Sequence, residues 1–239
     1  DKKSSILVTG GTGSFGNAFV SKILEDYPDI ERLVIFSRDE FKQNEMKKKF
    51  PISNHPGIRF YLGDIRDKDR LTRALSGIDV VVHAAALKQI DAAEENPFEC
   101  IKTNILGTQN IVESCIDQGI IRLVCLSTDK AASPSNLYGA SKLCAERLIL
   151  STSNYQGNKP LISCIVRYGN VLGSRGSVVP AFLDQSKNGI IKITTPEMTR
   201  FNIILKDGVK LVKWTIENMK GNEIFVPKLS SYNIIDLAD

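Results

Sequence analysis

The sequence has little of several residue types that mark specialised classes of protein. Among 239 residues, two are histidine, one is tryptophan and five are cysteine, at positions 100, 115, 125, 144 and 164. The cysteines are odd in number, lack C-x-x-C spacing and lie in apolar stretches, so we expect reduced, mostly buried thiols and no zinc site. The formal net charge is only +4. With one dense basic run, Lys47 to Lys49, this predicts a protein without a nucleic-acid partner.

Long hydrophobic runs are also lacking. No segment approaches the ~18 apolar residues that a membrane-spanning helix needs. The charged start, Asp1 to Lys3, leads directly into a predicted strand and not into a signal peptide. These features predict a cytoplasmic protein with no membrane partner. Residues 234–239 resemble the beginning of a further helix, so we expect the chain to be a truncated form of something longer.

Short apolar runs that alternate with segments of helical period fill the chain up to Arg167. This pattern predicts an α/β fold, a Rossmann-type doubly wound parallel sheet over residues 1–167. One predicted helix is capped by Asn96-Pro97 and ended by Gly119. The predicted strands are short and rich in β-branched and other aliphatic residues, as strands covered on both faces are, and lie at 6–8, 33–36, 58–62, 80–83, 123–126 and 162–166.

The regular alternation ends after Arg167, where glycine and proline become denser. Residues 191–193 and 198–204 look like short strands, and residues 209–219 look like a helix. We therefore predict a smaller, incomplete substrate-binding lobe over residues 168–239.

A glycine-rich turn follows the first strand and opens the first helix. Its glycines, Gly10, Gly13 and Gly16, let the backbone approach a pyrophosphate, and the helix N-terminus offers free N–H groups. Because the strand, turn and helix occur in the required order, the motif predicts dinucleotide binding. The residues that would touch the cofactor here are Gly10, Thr12, Gly13, Ser14, Phe15 and Gly16.

The ends of the second and third strands bear on which dinucleotide binds. An NAD enzyme usually has an acidic residue after the second strand, whereas this sequence has Ser37-Arg38. Arg38 suits the 2′-phosphate of NADP, although Asp39 follows directly and Arg38 could be an ordinary surface arginine. Asp64, followed by Ile65, either accepts a hydrogen bond from the adenine amino group or caps the next helix.

Tyr138 and Lys142 lie four residues apart on a predicted helix, so their side chains project from one face. We expect the ammonium of Lys142 to lower the pKa of Tyr138 toward neutrality, so that the tyrosine acts as a base. The fifth strand ends in Thr128, Asp129 and Lys130, at the sheet edge where open α/β folds place ligands. From the residue types alone, Asp129 and Lys130 are either an additional acid–base pair or a self-compensating ion pair.

Successive motifs along the whole chain resemble those of the inverting UDP-N-acetylglucosamine 4,6-dehydratases, a group of extended short-chain dehydrogenases. The specific blocks are Thr9 to Gly16, Ser37 to Glu40, His83 to Gln89, Asn96-Pro97 with Cys100 to Asn104, Ser127 to Ala132, Asn136 to Lys142, Arg167 to Val171, Gly173 to Pro180 and Met198 to Phe201. The Thr-Asp-Lys triplet is the most telling, since retaining sugar-nucleotide 4,6-dehydratases have Asp-Glu there.

This resemblance implies a reaction. Tyr138, helped by Lys142 and Thr128, takes the proton of the sugar 4-hydroxyl while hydride passes to NADP. Lys130 then takes the proton of C5, Asp129 protonates the departing 6-hydroxyl, and the hydride returns to C6. Protonation of C5 from the other face inverts that centre.

The resemblance also implies the remaining contacts. Asn104 holds the catalytic geometry, and the small-residue loop Ala84, Ala85 and Ala86 with Lys88 lies against the cofactor. The UDP-sugar pocket would comprise Lys88, Asn170, Arg175, Ser177, Val178 and Arg200, in a homo-oligomeric enzyme. Two departures, Asn202 and the stretch Ile90 to Ala92, bear on the choice of sugar.

Two other functions compete with the dehydratase. A UDP-sugar 4-epimerase or reductase would use Tyr138 and Lys142 and leave Asp129 and Lys130 idle. A non-catalytic NADP-binding redox sensor would not need the intact Tyr-Lys pair.

Overall fold

The computed structural model describes residues 4–172, 178–193 and 195–238. Each of the six strands predicted before residue 167 is present, and every end lies within two residues of its predicted position. The strands are β1 (Ser5–Thr9), β2 (Arg32–Ser37), β3 (Ile58–Leu62), β4 (Val80–His83), β5 (Arg122–Thr128) and β6 (Ile162–Tyr168). The central strands β1 and β4 are buried at every position, which is why they consist mainly of aliphatic residues.

The helices between these strands are α1 (Ser14–Asp26), α2 (Glu40–Lys49), α3 (Lys68–Ala74), α4 (Ile90–Glu95), α5 (Pro97–Ile101), α6 (Gly107–Gln118) and α7 (Leu137–Leu150). The helix predicted between Pro97 and Gly119 is interrupted by a π-helical turn at Lys102–Leu106. It ends at Gly119, whose φ of 70° is left-handed. Asn96 and Pro97 occupy the N-cap and the first turn of α5 as predicted, but the side chain of Asn96 makes no capping hydrogen bond and its amide donates to the carbonyl of Ala92.

The part of the chain after residue 168 contains β7 (Asn170–Val171), α8 (Val178–Ser186), β8 (Thr199–Ile203), α9 (Leu205–Asn218), β9 (Glu223–Phe225), β10 (Ser231–Asn233) and α10 (Ile234–Ala238). The strand predicted at 198–204 and the helix predicted at 209–219 are therefore present. The strand predicted at 191–193 is wrong: the described residues there are irregular, and Ile190 beside them is 68% exposed. Their apolar side chains do not reflect burial in a sheet.

Among the described residues, seven strands form one parallel sheet in the order β3-β2-β1-β4-β5-β6-β9. Its core has two layers. Apolar residues of α1, α2 and α9 cover one face, and those of α3, α6 and α7 cover the other. This is the doubly wound Rossmann-type fold that the sequence predicts.

A second sheet of three short strands, in the order β10-β8-β7, lies in the C-terminal part of the chain. By contrast, β9 pairs with β6 and α9 packs against α1, so these two elements complete the Rossmann layers. The division of the chain into domains at residue 167 stays a prediction. In the ranges that the structure covers, no helix has the length and apolar character to cross a membrane. Four of the five cysteines are buried free thiols, as expected, and Cys144 is exposed.

Candidate active site

A cleft of about 820 Å³ runs along the carboxyl ends of the parallel strands. Most of the residues that the sequence singled out line it: Gly10, Thr12, Gly13, Ser14, Phe15, Gly16, Ser37, Arg38, Asp64, Ile65, Ala84, Ala85, Ala86, Lys88, Thr128, Lys130, Tyr138, Lys142 and Asn170. The structure thus brings the glycine-rich turn, the Tyr-Lys pair and the end of β5 to one place, at the sheet edge where open α/β folds bind ligands.

The glycine-rich turn forms the floor of one end of the cleft. Gly10 has a φ of 64°, and a Cβ there would lie 2.9 Å from the backbone of Ala85, so the turn has no room for a side chain. Gly13 precedes α1 in extended conformation and gives its first turn no side-chain cap. The open N–H groups of α1 therefore point at the cleft, an arrangement that suits a pyrophosphate.

A buried chain of hydrogen bonds supports this turn from below. Thr9 Oγ1 lies 2.8 Å from His83 Nδ1, and His83 Nε2 lies 3.2 Å from Thr108 Oγ1. The hydroxyl of Thr108 donates to the carbonyl of Asn104 at 2.7 Å, so it accepts from Nε2–H of the imidazole. Burial, with a smaller effect of Lys142, lowers the pKa of His83 to about 3. The histidine is therefore a neutral structural connector between β1, β4 and the π-helical turn.

The neutral state of His83 makes stability depend on pH. In the unfolded chain an ordinary histidine is protonated below about pH 6.5, whereas the folded protein resists protonation down to about pH 3. The unfolded state thus binds one more proton in this window, and folding is destabilised by about 1.4 kcal/mol for each pH unit below 6.5. We expect His83→Gln to reduce this slope of the free energy of unfolding in urea between pH 6.5 and 5. His55→Gln, in a surface loop, should leave the slope unchanged. Equal slopes in the unaltered protein and in both variants would contradict the assignment of the pH dependence to His83.

Asn104, in the π-helical turn, links the loop after β4 to helix α7. Its side-chain amide donates to the carbonyl of Leu87 and to Ser141 Oγ, both at 2.9 Å, and its Oδ1 accepts from Leu87 N at 2.8 Å. Asn104 is buried and does not line the cleft. Its observed contacts fix the loop after β4 against α7.

Charged side chains mark the end of the cleft after β2. Arg38 is about half exposed, and its guanidinium lies 3.5 Å from Asp64. Burial tends to raise the pKa of Asp64, but hydrogen bonds from Arg66, with a smaller contribution from Arg38, bring it below its usual value. Asp64 also accepts the backbone N–H of Arg66 at 2.9 Å. The predicted capping role is wrong, because the next helix, α3, is capped by Asp67. Asp64 makes a local turn contact and still lines the cleft.

Lys42 also lines this end of the cleft and was missed from the sequence. Its Nζ lies 3.0 Å from Asp39, the residue that caps α2 by accepting the N–H of Lys42. The sequence signal that could have identified Lys42 was Asp39, a residue type that caps helices, just before the helix. A helix that begins at Glu40 directs a side chain in its first turn back toward its N-terminus, and hence toward Arg38.

Tyr138 and Lys142 project from α7 into the middle of the cleft, as the spacing predicts. Burial raises the pKa of Tyr138, while a hydrogen bond with Thr128 lowers it and Asp129 raises it. The expected lowering by Lys142 is not what this geometry gives, because the buried ammonium donates to the carbonyl of Leu126 at 2.8 Å. The protonated phenol is thus the favoured form of Tyr138 in this structure.

Asp129 and Lys130 follow β5 in a short 3-10 turn (Asp129–Ala131). Asp129 Oδ1 accepts from Thr128 Oγ1 at 2.9 Å and from Lys130 Nζ at 3.2 Å. Lys130 Nζ also donates to Asn170 Oδ1 at 3.1 Å. The groups are in contact and each side chain is about one third exposed. Lys130 lines the cleft, whereas Asp129 lies directly behind it and is not part of the lining.

The start of α7 packs tightly on this turn. A Cβ at Gly139 would lie 2.3 Å from the carbonyl oxygen of Lys130, so only glycine allows the approach. The side chain of Asn136 caps the helix by accepting Gly139 N at 2.8 Å, and Glu94 of α4 accepts Leu137 N at 2.8 Å. Lys130 and Tyr138 are therefore held in a fixed relation by backbone packing.

A buried ion pair supports the carboxyl ends of β5 and β6. Glu146 Oε1 accepts from Ser127 Oγ at 2.5 Å and from Arg167 Nε at 3.0 Å, and a second, shorter contact joins Arg167 Nη2 to Oε2. The glutamate is 1% exposed, so both of its oxygens depend on these partners. The pair ties α7 to the two strands whose ends carry the reactive residues.

Some residues of the predicted substrate pocket lie away from the cleft, and others are not among the residues that the structure describes. Arg175, Ser177 and the side chain of Val178 lie outside the described residues. Arg200 lies on β8, donates to the carbonyl of Thr199 at 2.8 Å, and does not line the cleft. Tyr168 does line it and was missed; burial raises its pKa. The available signal was its place in the block Arg167 to Val171, directly after a predicted strand.

The sheet order, the glycine-rich turn at the first crossover and the Tyr-Lys pair opposite it together define an extended short-chain dehydrogenase fold and site. A family model described as "Polysaccharide biosynthesis protein" matches residues 6–239. The chain belongs to this family of polysaccharide biosynthesis proteins, and its resemblance to the inverting UDP-N-acetylglucosamine 4,6-dehydratases is confirmed.

Proteins similar to this chain include relatives named for two different activities. A UDP-N-acetylglucosamine 4,6-dehydratase (inverting) of Campylobacter jejuni subsp. jejuni serotype O:2 is 50% identical over 238 residues, which are 99% of this chain and 70% of the relative. A UDP-glucose 4-epimerase of Rickettsia canadensis is 43% identical over 98% of this chain and 69% of the relative. The X-ray structure of Pen from Bacillus thuringiensis superposes with a TM-score of 0.92, at 39% identity over 99% of this chain and 74% of that one.

Proposed function

We propose that the protein is an NADP-dependent UDP-N-acetylglucosamine 4,6-dehydratase that inverts C5. The observation that carries this proposal is the contact of Asp129 with Lys130 beside Tyr138 at the end of β5. A 4-epimerase needs one base for the 4-hydroxyl and a cofactor that gives its hydride back to C4. The second acid–base pair would have no task in that reaction, whereas dehydration requires it.

Two features of the cleft support NADP as the cofactor. The turn at Gly10 and the open N-terminus of α1 fit the pyrophosphate, and two cations, Arg38 and Lys42, line the end where an adenosine 2′-phosphate would lie. When bound, the nicotinamide would supply the acceptor for the hydride of C4 and the donor of that hydride to C6. A uridine diphosphate on the sugar would extend from the middle of the cleft toward β7 and β8.

Tyr138 takes the proton of the 4-hydroxyl in the first step. Burial disfavours the phenolate that accepts this proton, so its formation, by loss of the phenol proton to solvent before the transfer, depends on groups that stabilise a negative charge. Thr128 hydrogen-bonds to the phenol, and the ammonium of Lys142 is buried on the same face of α7. The oxidation produces a ketone at C4, which acidifies the proton on C5.

Lys130 and Asp129 then carry out the elimination. The deprotonated amine takes the proton from C5, and the carboxylic acid protonates the 6-hydroxyl, which leaves as water. The hydrogen bonds of Asp129 with Thr128 and Lys130 both use Oδ1, which leaves Oδ2 as the oxygen that would face the leaving group. The 3.2 Å contact lets the ammonium return its proton to the carboxylate. A solvent proton added to C5 on the opposite face completes the inversion.

Arg38→Asp should move the cofactor preference from NADP toward NAD. The change removes a cation facing the 2′-phosphate and supplies an acceptor for the ribose hydroxyls. A charge-assisted hydrogen bond contributes about 1.5–3 kcal/mol, so we expect the ratio of the two affinities to change at least tenfold. Fluorescence titration with both dinucleotides measures it. Lys47→Asp, an equal charge change on α2 outside the cleft, is the control; an unchanged ratio in Arg38→Asp would show that this residue does not face the phosphate.

Product analysis tests the reaction itself. The protein, NADP and UDP-N-acetylglucosamine should yield a 4-keto-6-deoxy sugar nucleotide that lacks the elements of water, seen by mass spectrometry and proton NMR. Recovery of UDP-N-acetylgalactosamine as the sole product would make the protein a 4-epimerase instead.

A further inference from the structure

Asn170 lies directly across from Lys130 at the ends of two neighbouring strands. β5 and β6 pair in parallel up to Thr128 opposite Tyr168. Two residues beyond this pair, the segment after β5 reaches Lys130 and the segment after β6 reaches Asn170. The side-chain contact at 3.1 Å therefore follows from the register of the sheet and is not an accident of two long side chains.

The head group of Lys130 has two acceptors of different kinds. The carboxylate of Asp129 lies 3.2 Å away, and the amide oxygen of Asn170 lies 3.1 Å away. A carboxylate holds the ammonium more strongly than the neutral amine. An amide oxygen accepts a hydrogen bond from either form, so Asn170 can keep Nζ in place after the proton has left.

Asn170 is itself fixed by the small sheet. In the pairing of β7 with β8, Asn170 is opposite Asn202, and the next residues are Val171 and Ile203. Leu172 N donates to the carbonyl of Ile203 at 2.9 Å, and the side chain of Asn202 donates to the hydroxyl of Tyr232 on β10. The small sheet thus sets the position of the amide that Lys130 uses.

We propose that Asn170 is a positioning residue for the base Lys130, through which the small sheet controls the elimination step. The inference rests on the proposed function, since it assumes that Lys130 takes the proton from C5. A pocket residue that only touches the sugar would affect substrate binding. A positioning residue affects the rate and the pH dependence of the step that Lys130 performs.

The groups around Lys130 set the background for any pH effect. Asp129 is adjacent in its own turn, Tyr138 and Lys142 face the cleft from α7, and Tyr168 faces it from β6. Lys88 and Asp91 line the same cleft from the segment before and within α4. None of these is altered by a substitution at Asn170, so a change in pH dependence reports on the contact with Lys130.

Two substitutions of Asn170 distinguish its effect on the position of Lys130 from an effect on the charge of Lys130. Asn170→Ala removes the acceptor, and we expect kcat for dehydration to fall between about tenfold and 100-fold, as for a misplaced catalytic group, with KM changed less than about threefold. Asn170→Asp keeps an acceptor but adds a negative charge that stabilises the ammonium. Its rate should recover at high pH, with the acid limb of the kcat profile moved upward by about one pH unit or more.

A measurement without turnover completes the experiment. NMR of lysine Nζ and Cε nuclei in the full chain follows the protonation of Lys130, whose signal is assigned by its loss in Lys130→Arg. Asn170→Asp should move the titration midpoint of this signal to higher pH. Asn54→Asp, in the loop that precedes β3 at the opposite edge of the sheet, makes the same change in charge and should leave the midpoint and the pH profile unaltered.

Failure of the proposed dehydratase function and failure of the positioning role of Asn170 give different results. If the midpoint moves as expected but the unaltered enzyme forms no dehydrated product, the contact is as described and the proposed function is wrong. If the unaltered enzyme dehydrates its substrate, while Asn170→Ala raises only KM and Asn170→Asp moves neither the midpoint nor the acid limb, Asn170 is a substrate contact and the positioning role is refuted.

Discussion

Tyr138→Phe is expected to lower kcat by at least ~10³, because both the oxidation and everything after it depend on removal of the 4-hydroxyl proton. The substitution keeps the ring and removes only the hydroxyl. Thr128 retains its hydrogen bond to Asp129 at 2.9 Å, so the fold around the site should be unaffected. The readout is the absorbance of reduced dinucleotide in a single turnover, together with product formation.

The control for this substitution is Tyr155→Phe, which removes the same hydroxyl from an exposed tyrosine after α7. It should behave as the unaltered enzyme. A Tyr138→Phe protein that still reduces the cofactor at a rate near normal would mean that another group takes the 4-hydroxyl proton, and the assignment of Tyr138 as the base would be withdrawn.

Lys130→Met and Asp129→Asn are expected to lower the rate of dehydration by at least ~10² while leaving the oxidation at C4 possible. Neither side chain is needed to remove the hydride. Methionine keeps the length of the lysine stem without its amine, and asparagine keeps the acceptor oxygen that Thr128 uses. Reduced dinucleotide should therefore accumulate in both variants, since the ketone is formed and no C5–C6 alkene follows to receive the hydride.

Lys187→Met supplies the control, because Lys187 forms an ion pair of the same kind with Asp184 on an exposed helix at 2.8 Å. It should dehydrate its substrate at the normal rate. A Lys130→Met protein that also does so would make Lys130 a structural partner of Asp129, and the mechanism would be wrong at its central step.

The fold and the main contacts of the cleft could be predicted because they depend on local patterns. The buried strands are mainly aliphatic, the glycines of the first turn allow a close backbone approach, and the spacing of Tyr138 and Lys142 follows the helical period. Each of these signals lies within a few residues, so one sequence is enough to detect it.

What the sequence did not predict depends on contacts between distant residues. Lys142 donates to the carbonyl of Leu126 on another element, which no spacing reveals. The connector role of His83 requires Thr9 and Thr108 to meet it from both sides. β9 is only three residues long and too short for a pattern, and Asn170 meets Lys130 through the register of two strands.

The central claim is that the protein moves a hydrogen from C4 to C6 of one sugar, and a substrate that carries deuterium at C4 tests it most directly. UDP-N-acetylglucosamine labelled in this way, mixed with unlabelled substrate carrying a heavy-isotope tag elsewhere in the molecule, should give a 4-keto-6-deoxy product with deuterium at C6 of the same molecules that began with it. Proton NMR and mass spectrometry detect both positions. Deuterium that stays at C4 in a 4-epimerised sugar would contradict the account and show that the acid–base pair of Asp129 and Lys130 does not eliminate water.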